Sequence, residues 1–281
     1  MAQAPPPPPP PPPGSGGGGA LFQPKGVGDI LTASFDLYKR YWQTFIQIVA
    51  IVVVPLTLIQ YFLQDQLADE ANLVRDPTTG QVTFTDTGDF WAAVIGSLVF
   101  ALIGVLITQV LTGAISRAAA GSLVGETPTP GDAFRYGFKR LGSIILIGLL
   151  VALIVAGGLF LLIIPGIIFA VKLSVSIPAL IVENRRGTDA ISRSWNLTTG
   201  HFWHVLGTWI VAYIIAAIVS AILTALGGDN WLVRGILASI ASVITTPFVA
   251  LVTVLLYLDL RARKEAFSEE VLRRELGASG I

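Results

Sequence analysis

The chain has 281 residues, 53% of them hydrophobic and only 13% charged, where an ordinary soluble domain is about a quarter charged. Mean hydropathy is +0.72, and a water-soluble fold of this size would expose large apolar patches, so the bilayer is the medium that suits it. Eighteen basic and eighteen acidic side chains cancel, giving no field for nucleic acid, and the lack of cysteine excludes disulfides, thiolate metal sites and thiol nucleophiles.

Residues 1–25 stand apart from the fold. Pro5 to Pro13 is an unbroken run, followed by Gly14, Ser15 and Gly16 to Gly19. This reads as a stiff polyproline II rod on a flexible tether. It has no basic start or short apolar core of a secretory signal. Two uses are open, a disordered cytoplasmic tail and a docking ligand for a proline-reading partner.

About 20 apolar residues cross a bilayer as a helix. Such runs occur at 44–63, 91–115, 205–226 and 234–258, and 143–182 is nearly continuous. At about 60 Å as one helix, that stretch is too long for a single crossing. It should break near Gly157-Gly158 or Pro165-Gly166, with Pro165 preferred as the first residue of a return helix, because proline lacks no needed hydrogen bond there. The expected spans are therefore 44–63, 91–115, 143–163, 165–182, 205–226 and 234–258, within a membrane domain at 26–258. Residues 259–281 should follow as a charged cytoplasmic helix and tail. In it Glu269 and Arg273, and Glu270 and Arg274, are spaced for ion pairs.

With both termini inside, fifteen of the eighteen Lys and Arg residues fall on the inner side. Only Arg75 and Arg234 fall outside, and Lys172 lies within a span. That asymmetry predicts a multi-pass protein of the bacterial plasma membrane with cytoplasmic termini. The tally counts Arg186 inside and Asp229 outside.

A related pattern precedes each odd-numbered span: Asp29-Ile30-Leu31 with Ser34-Phe35, Asp132-Ala133-Phe134 with Gly137-Phe138, and Asp189-Ala190-Ile191 with Ser194-Trp195. Each Asp should accept bonds from free N–H groups at a helix start. Apolar residues at plus two and plus six from the Asp share a helical face suited to the inner interface. The fold expected is all-α, a polytopic bundle of six transmembrane helices in three parallel repeats of interfacial helix plus two-span hairpin.

Chemistry-bearing candidates are few. Lys172 would lie about 10 Å below the external surface if its helix starts at Pro165, with Ser176 one turn away on the same face. It either snorkels outward or fills a local polar need, or it binds an anionic headgroup or substrate between helices. Lys172, Ser176, Arg193, Lys139 and Arg140 form the candidate polar or lipid-phosphate site. His201 and His204 lack a third ligand at useful spacing and read as interfacial packing. The loop after the first span, with a turn at 76–80 flanked by β-prone residues, reads as solvated. No phosphate-cradling loop, zinc-protease motif or hydrolase elbow is present, so no catalytic residue, cofactor or metal is implied.

The stretch Ile164-Pro165-Gly166-Ile167, Val171-Lys172 and Ile177-Pro178-Ala179-Leu180-Ile181-Val182-Glu183 continues into Asp189-Ala190-Ile191-Ser192-Arg193-Ser194-Trp195, Leu197-Thr198 and Gly200. It resembles a poorly characterised bacterial six-span inner-membrane family related to the membrane domain of glycerophosphoryl diester phosphodiesterases. The resemblance covers roughly residues 26–262 and is specific at 164–207. It implies a six-helix bundle, transfers no catalytic residue, and accommodates a cation at position 172.

The leading functional expectation is a non-enzymatic membrane protein that binds or organises anionic lipid, or a partner, at the inner leaflet. The alternatives are a small-solute transporter or permease subunit, with a polar path along Lys172, Ser176, Thr245 and Gln109, and an enzyme of lipid headgroups. Membrane lipids are the partners implied. The proline-rich tail and the C-terminal helix are the segments open to a protein.

Overall fold

A computed structural model describes residues 22–70, 73–75, 82–84, 87–185, 187–228 and 230–278. The proline run, the turn at 76–80, Arg186 and Asp229 lie outside the described residues. The elements are α1 Val27–Arg40, α2 Trp42–Glu70, β1 Leu73–Arg75, β2 Val82–Phe84, α3 Thr87–Leu123, α4 Pro130–Lys139, α5 Leu141–Leu161, α6 Ile163–Leu173, α7 Ser176–Val182, α8 Asp189–Thr198, α9 Phe202–Ala225, α10 Trp231–Lys264 and α11 Glu269–Ala278. Strands β1 and β2 pair as a short antiparallel ribbon, Val74 opposite Thr83; all other regular structure described is helical.

Six segments are long and apolar enough to cross a membrane: Trp42–Leu63, Val94–Leu123, Leu141–Leu161, Ile163–Val182, Phe202–Ala225 and Trp231–Lys264. The protein is an integral, multi-pass, all-helical membrane protein. Backbone groups in hydrocarbon have no water to bond, so each crossing must satisfy its own. Helix α10 packs along α2 and α9, and α5 doubles back onto α6. Pro55 and Pro247 sit inside α2 and α10, which both run through them.

The turn between the third and fourth spans falls at Leu162, whose extended backbone (φ −160°, ψ 142°) separates α5 from α6. Pro165 is therefore the third residue of its helix rather than the first. In the first turn the missing N–H of proline removes no helical bond wherever it stands. Gly157 and Gly158 do not break α5. Gly158 instead lets α6 approach, since a Cβ there would lie 2.9 Å from Gly166 Cα.

The fourth span is two helices. It breaks at Ser174 and Val175, and Pro178 becomes the third residue of α7. The break is held from outside: Ser194 Oγ on α8 donates to the Lys172 carbonyl at 2.8 Å and accepts from the Val175 N–H at 3.2 Å. Thr198 Oγ1 lies 3.2 Å from the same carbonyl. Every residue of α7 is buried.

The sixth span also departs from expectation. Helix α10 continues past residue 258 to Lys264, with Tyr257 to Arg261 all buried. The charged helix expected from residue 259 onward is interrupted at Glu265, where the backbone turns extended, and resumes as α11. Phe267, Leu272 and Leu276 are buried, and α11 packs on α3 and α7.

Short amphipathic helices α1, α4 and α8 each precede a pair of spans. Ile30, Ala133 and Ala190, one residue after the Asp, are buried, as are Ser34, Gly137 and Ser194 at plus five. The aromatic residues at plus six face outward, with Phe35 52%, Phe138 67% and Trp195 40% exposed. The packed face is thus plus one and plus five, not the plus two and plus six face expected. Small residues allow the close approach, and the rings stay free for the interface. The aspartates also differ. Asp29 accepts from the Gly26 N–H at 3.1 Å and Asp132 is bonded to the Thr129 hydroxyl at 2.6 Å, whereas α8 has no side-chain bond from its N-cap residue Thr188 and none from Asp189 among the described residues.

Candidate functional site

Helices α1, α8 and α11 gather at one end of the bundle, here the basic end, where Ile30, Val124, Val182, Leu197 and Leu276 share one buried cluster. Helix α4 joins that end through the Tyr136 hydroxyl, which donates to the Ile181 carbonyl at 3.1 Å. Two kinds of charge meet there.

The first is a buried ion network centred on Glu183, which directly follows α7. Its Oε1 accepts from Arg193 Nε at 2.7 Å and Tyr257 Oη at 2.8 Å, and its Oε2 from Arg185 Nε at 2.6 Å. Arg261, 4% exposed, reaches Glu183 at 3.7 Å and Glu265 at 3.2 Å, and grips Glu275 of α11 with two bonds of 2.6 and 2.9 Å. The fork of a guanidinium matches a carboxylate in this way. The Phe267 ring lies 4.1 Å beneath the guanidinium carbon. Burial alone would raise the Glu183 carboxyl, but its bonds from Arg193 and Arg185 and the charge of Arg261 outweigh that and hold it below its ordinary value. Three glutamates face three arginines, so the network is neutral as a whole.

Beside it, Asp259 is almost fully buried. It accepts from the Lys25 N–H at 2.6 Å and Arg263 Nε at 2.8 Å, and lies 2.9 Å from His204 Nε2. Arg263 also donates to the Lys25 carbonyl. Lys25, expected in a tail apart from the fold, is thereby tied to the end of α10, and the Phe22 ring lies 5.5 Å from that of Phe267.

The second kind of charge has no acid. Lys172 Nζ bonds to Thr199 Oγ1 at 2.9 Å and stands over the Trp195 ring, 5.3 Å from its centre. The ammonium is thus turned toward α8, not outward past the α5–α6 turn. Lys264 bonds to the Asn196 carbonyl, and its charge and that of Lys172 are close enough to oppose each other. Neither forms an ion pair among the described residues. Nearby, His201 has a buried Nδ1 without a hydrogen-bond partner. Burial, then the positive charges of Arg263 and Lys264, hold His201 below its ordinary value.

The expected site residues separate accordingly. Ser176 does not meet Lys172; it is buried and donates back to the Leu173 carbonyl at 2.8 Å. Arg193 belongs to the ion network, bonded to Glu183 and Glu265, so its charge is not offered to a phosphate. Arg140 donates to Asn184 and lies over Tyr136. Lys139 is exposed and forms no ion pair among the described residues. The polar path does not assemble around Lys172. Thr245 bonds back to the Ala241 carbonyl, and Gln109 lies against Gly148 of α5.

Sequence reading missed Glu183, Tyr257, Asp259, Arg261 and Glu275. The available signal was spacing: Tyr257 and Arg261, and Asp259 and Arg263, are each four apart and extend the helical register of the sixth span. His204, read as interfacial packing, has a carboxylate partner 55 positions away in the chain. No family model matches this chain, and neither a curated protein nor a solved structure does.

Proposed function

We propose that this protein binds and organises anionic phospholipid at the inner leaflet of a bacterial plasma membrane, without catalysing a reaction, and with both termini in the cytosol. The observation that carries the reading is the pair Lys172 and Lys264. Both lack an acidic partner among the described residues, while the arginines beside them are neutralised by glutamates. An unbalanced ammonium pair at the edge of a low-dielectric bundle attracts phosphate. Trp195 and Trp203, 40% and 79% exposed, supply rings of the kind that settle at headgroup depth. The excess of Lys and Arg at this end supports the orientation. Kinship with the membrane domain of glycerophosphoryl diester phosphodiesterases, suggested by residues 164–207, belongs to the same proposal and assigns no activity.

Native mass spectrometry of the detergent-extracted protein tests the reading. Wild-type protein should carry phosphatidylglycerol or cardiolipin in preference to phosphatidylcholine. The double variant Lys172→Leu/Lys264→Leu should lose that preference while unfolding at a similar temperature. An identical lipid profile in the two proteins would remove the proposal.

A further inference from the structure

A second lipid contact is suggested on the other flank of the basic end, and it rests on the anionic-lipid reading above. Helix α4 bridges α2, α3 and α5. Beneath it lies a cleft of about 270 Å³ whose walls come from Val52 of α2, Leu106 and Val110 of α3, Gly137 and Phe138 of α4, and Ile145 of α5. The lining is apolar throughout. Val52 stands about ten residues into α2, so the cleft reaches roughly 15 Å along the bundle from the α4 end.

Gly137 shows that the space is open. The residue is buried, yet a Cβ built on it would meet nothing within 4 Å. A buried position with no neighbour on that side faces a void, and an apolar void stays dry. In water such a cleft would stay empty or recruit a protein, whereas against hydrocarbon it is filled by what surrounds it. Charge identifies the kind of chain. Arg135 and Lys139, one residue on from Phe134 and Phe138, are exposed and share a helix face. Neither has an acidic partner among the described residues. The one acid of α4, Asp132, is engaged by Thr129 at the far end of the helix.

We infer that the α2–α3–α4–α5 cleft is an acyl-chain slot for an anionic glycerophospholipid, with the phosphate resting on Arg135 and Lys139. The chain lies along Leu106, Val110 and Ile145, and Phe138 stands at the mouth.

The chain contains no cysteine, so a single Gly137→Cys variant gives a thiol that reports on the cleft alone. In nanodiscs of phosphatidylcholine, alkylation of this thiol by a small maleimide should slow at least fivefold when dioleoyl-phosphatidylglycerol is added. Soluble glycerol phosphate, which has the headgroup chemistry without the chain, should leave the rate unchanged. Arg135→Gln/Lys139→Gln in the same background should abolish the protection. Lys172→Leu/Lys264→Leu should leave it intact, so this slot and the Lys172 region fail or survive separately. A rate indifferent to phosphatidylglycerol overturns the slot, as does equal protection by glycerol phosphate, which would mark a free-anion site. As a second variant, Gly137→Leu fills the void and should remove one bound lipid by native mass spectrometry; an unchanged lipid count overturns the proposal.

Discussion

Arg261 and Lys172 are both cations at the basic end of the bundle, yet they live by opposite rules. Arg261 is buried on a ring face and held by Glu183, Glu265 and Glu275. Lys172 is half-buried, with a hydroxyl and an indole face for company. A guanidinium satisfies several fixed carboxylates at once and is less strongly hydrated, so it suits an interior network. An ammonium on a flexible stem keeps its charge available at an edge. The Arg261 region is built to be finished, with α11 closing it, whereas the Lys172 region leaves charge over. That contrast separates what holds the bundle together from what it offers the membrane.

Removing Arg261 should break the contrast hardest. Arg261→Leu takes the two-bond partner from Glu275, which is partly exposed, and one of three cations from buried Glu183. A buried ion pair that loses one partner costs about 3–5 kcal/mol, and the cost here should fall toward the lower end of that range. The loss should appear as a large drop in unfolding temperature in detergent, with early proteolysis at 265–278 as α11 undocks. If Arg261→Leu melts like wild type, the network is decorative.

Acid should reproduce a smaller part of this effect. The Glu183 carboxyl sits below its ordinary value in the fold. Its contribution to stability is therefore complete above the ordinary carboxylate range and is lost as pH falls through that range toward the folded-state value. Glu183→Gln should flatten this acid limb of the melting curve. Neutral-pH destabilisation alone, with the acid limb unchanged, would assign the limb to other carboxylates.

Much of this architecture was legible in advance because hydrophobic run length is a direct readout of bilayer thickness. All six spans stand near their expected places, within a few residues at most ends. What was not legible is tertiary in origin. The break at Ser174 depends on Ser194 arriving twenty residues later to bond the freed carbonyl and N–H. Pro178, the visible local signal, lies four residues past the break. Asp259 and Arg261 looked like the start of a separate charged cytoplasmic helix because charge usually marks the end of a span. Their burial depends on partners at Lys25, His204 and Glu275, which no local pattern announces. Lys172 stood out because it was charged within an apolar run, but its direction followed from Trp195 and Thr199.

Ser194 offers a sharper and smaller test. Its hydroxyl serves two helix ends at once, and Ser194→Ala strands the Val175 N–H and weakens the bonding of the Lys172 carbonyl. The expected cost is about 1–3 kcal/mol, seen as a lowered melting temperature and faster exchange of the Val175 amide. Ser194→Thr keeps the hydroxyl and should recover part of the loss if the tight α7–α8 contact admits the extra methyl. An alanine variant with unchanged Val175 exchange would mean that the break needs no help from α8.

Lys172→Leu completes the series with the least effect on stability and the most on what the protein binds. The substitution gives up a cation–π contact of about 0.5–1 kcal/mol at a partly exposed site and one hydrogen bond to Thr199. Against this, leucine removes the cost of holding an ammonium beside hydrocarbon and relieves its opposition to Lys264. These terms oppose each other, and the net shift should stay within about 1 kcal/mol. Preference for phosphatidylglycerol over phosphatidylcholine should nonetheless fall, because the charge left over is what attracts phosphate. A variant that melts several degrees lower and keeps its lipid preference would reverse the assignment, making Lys172 a structural residue of the α6–α8 junction and leaving Arg135 and Lys139 as the cations that face the membrane.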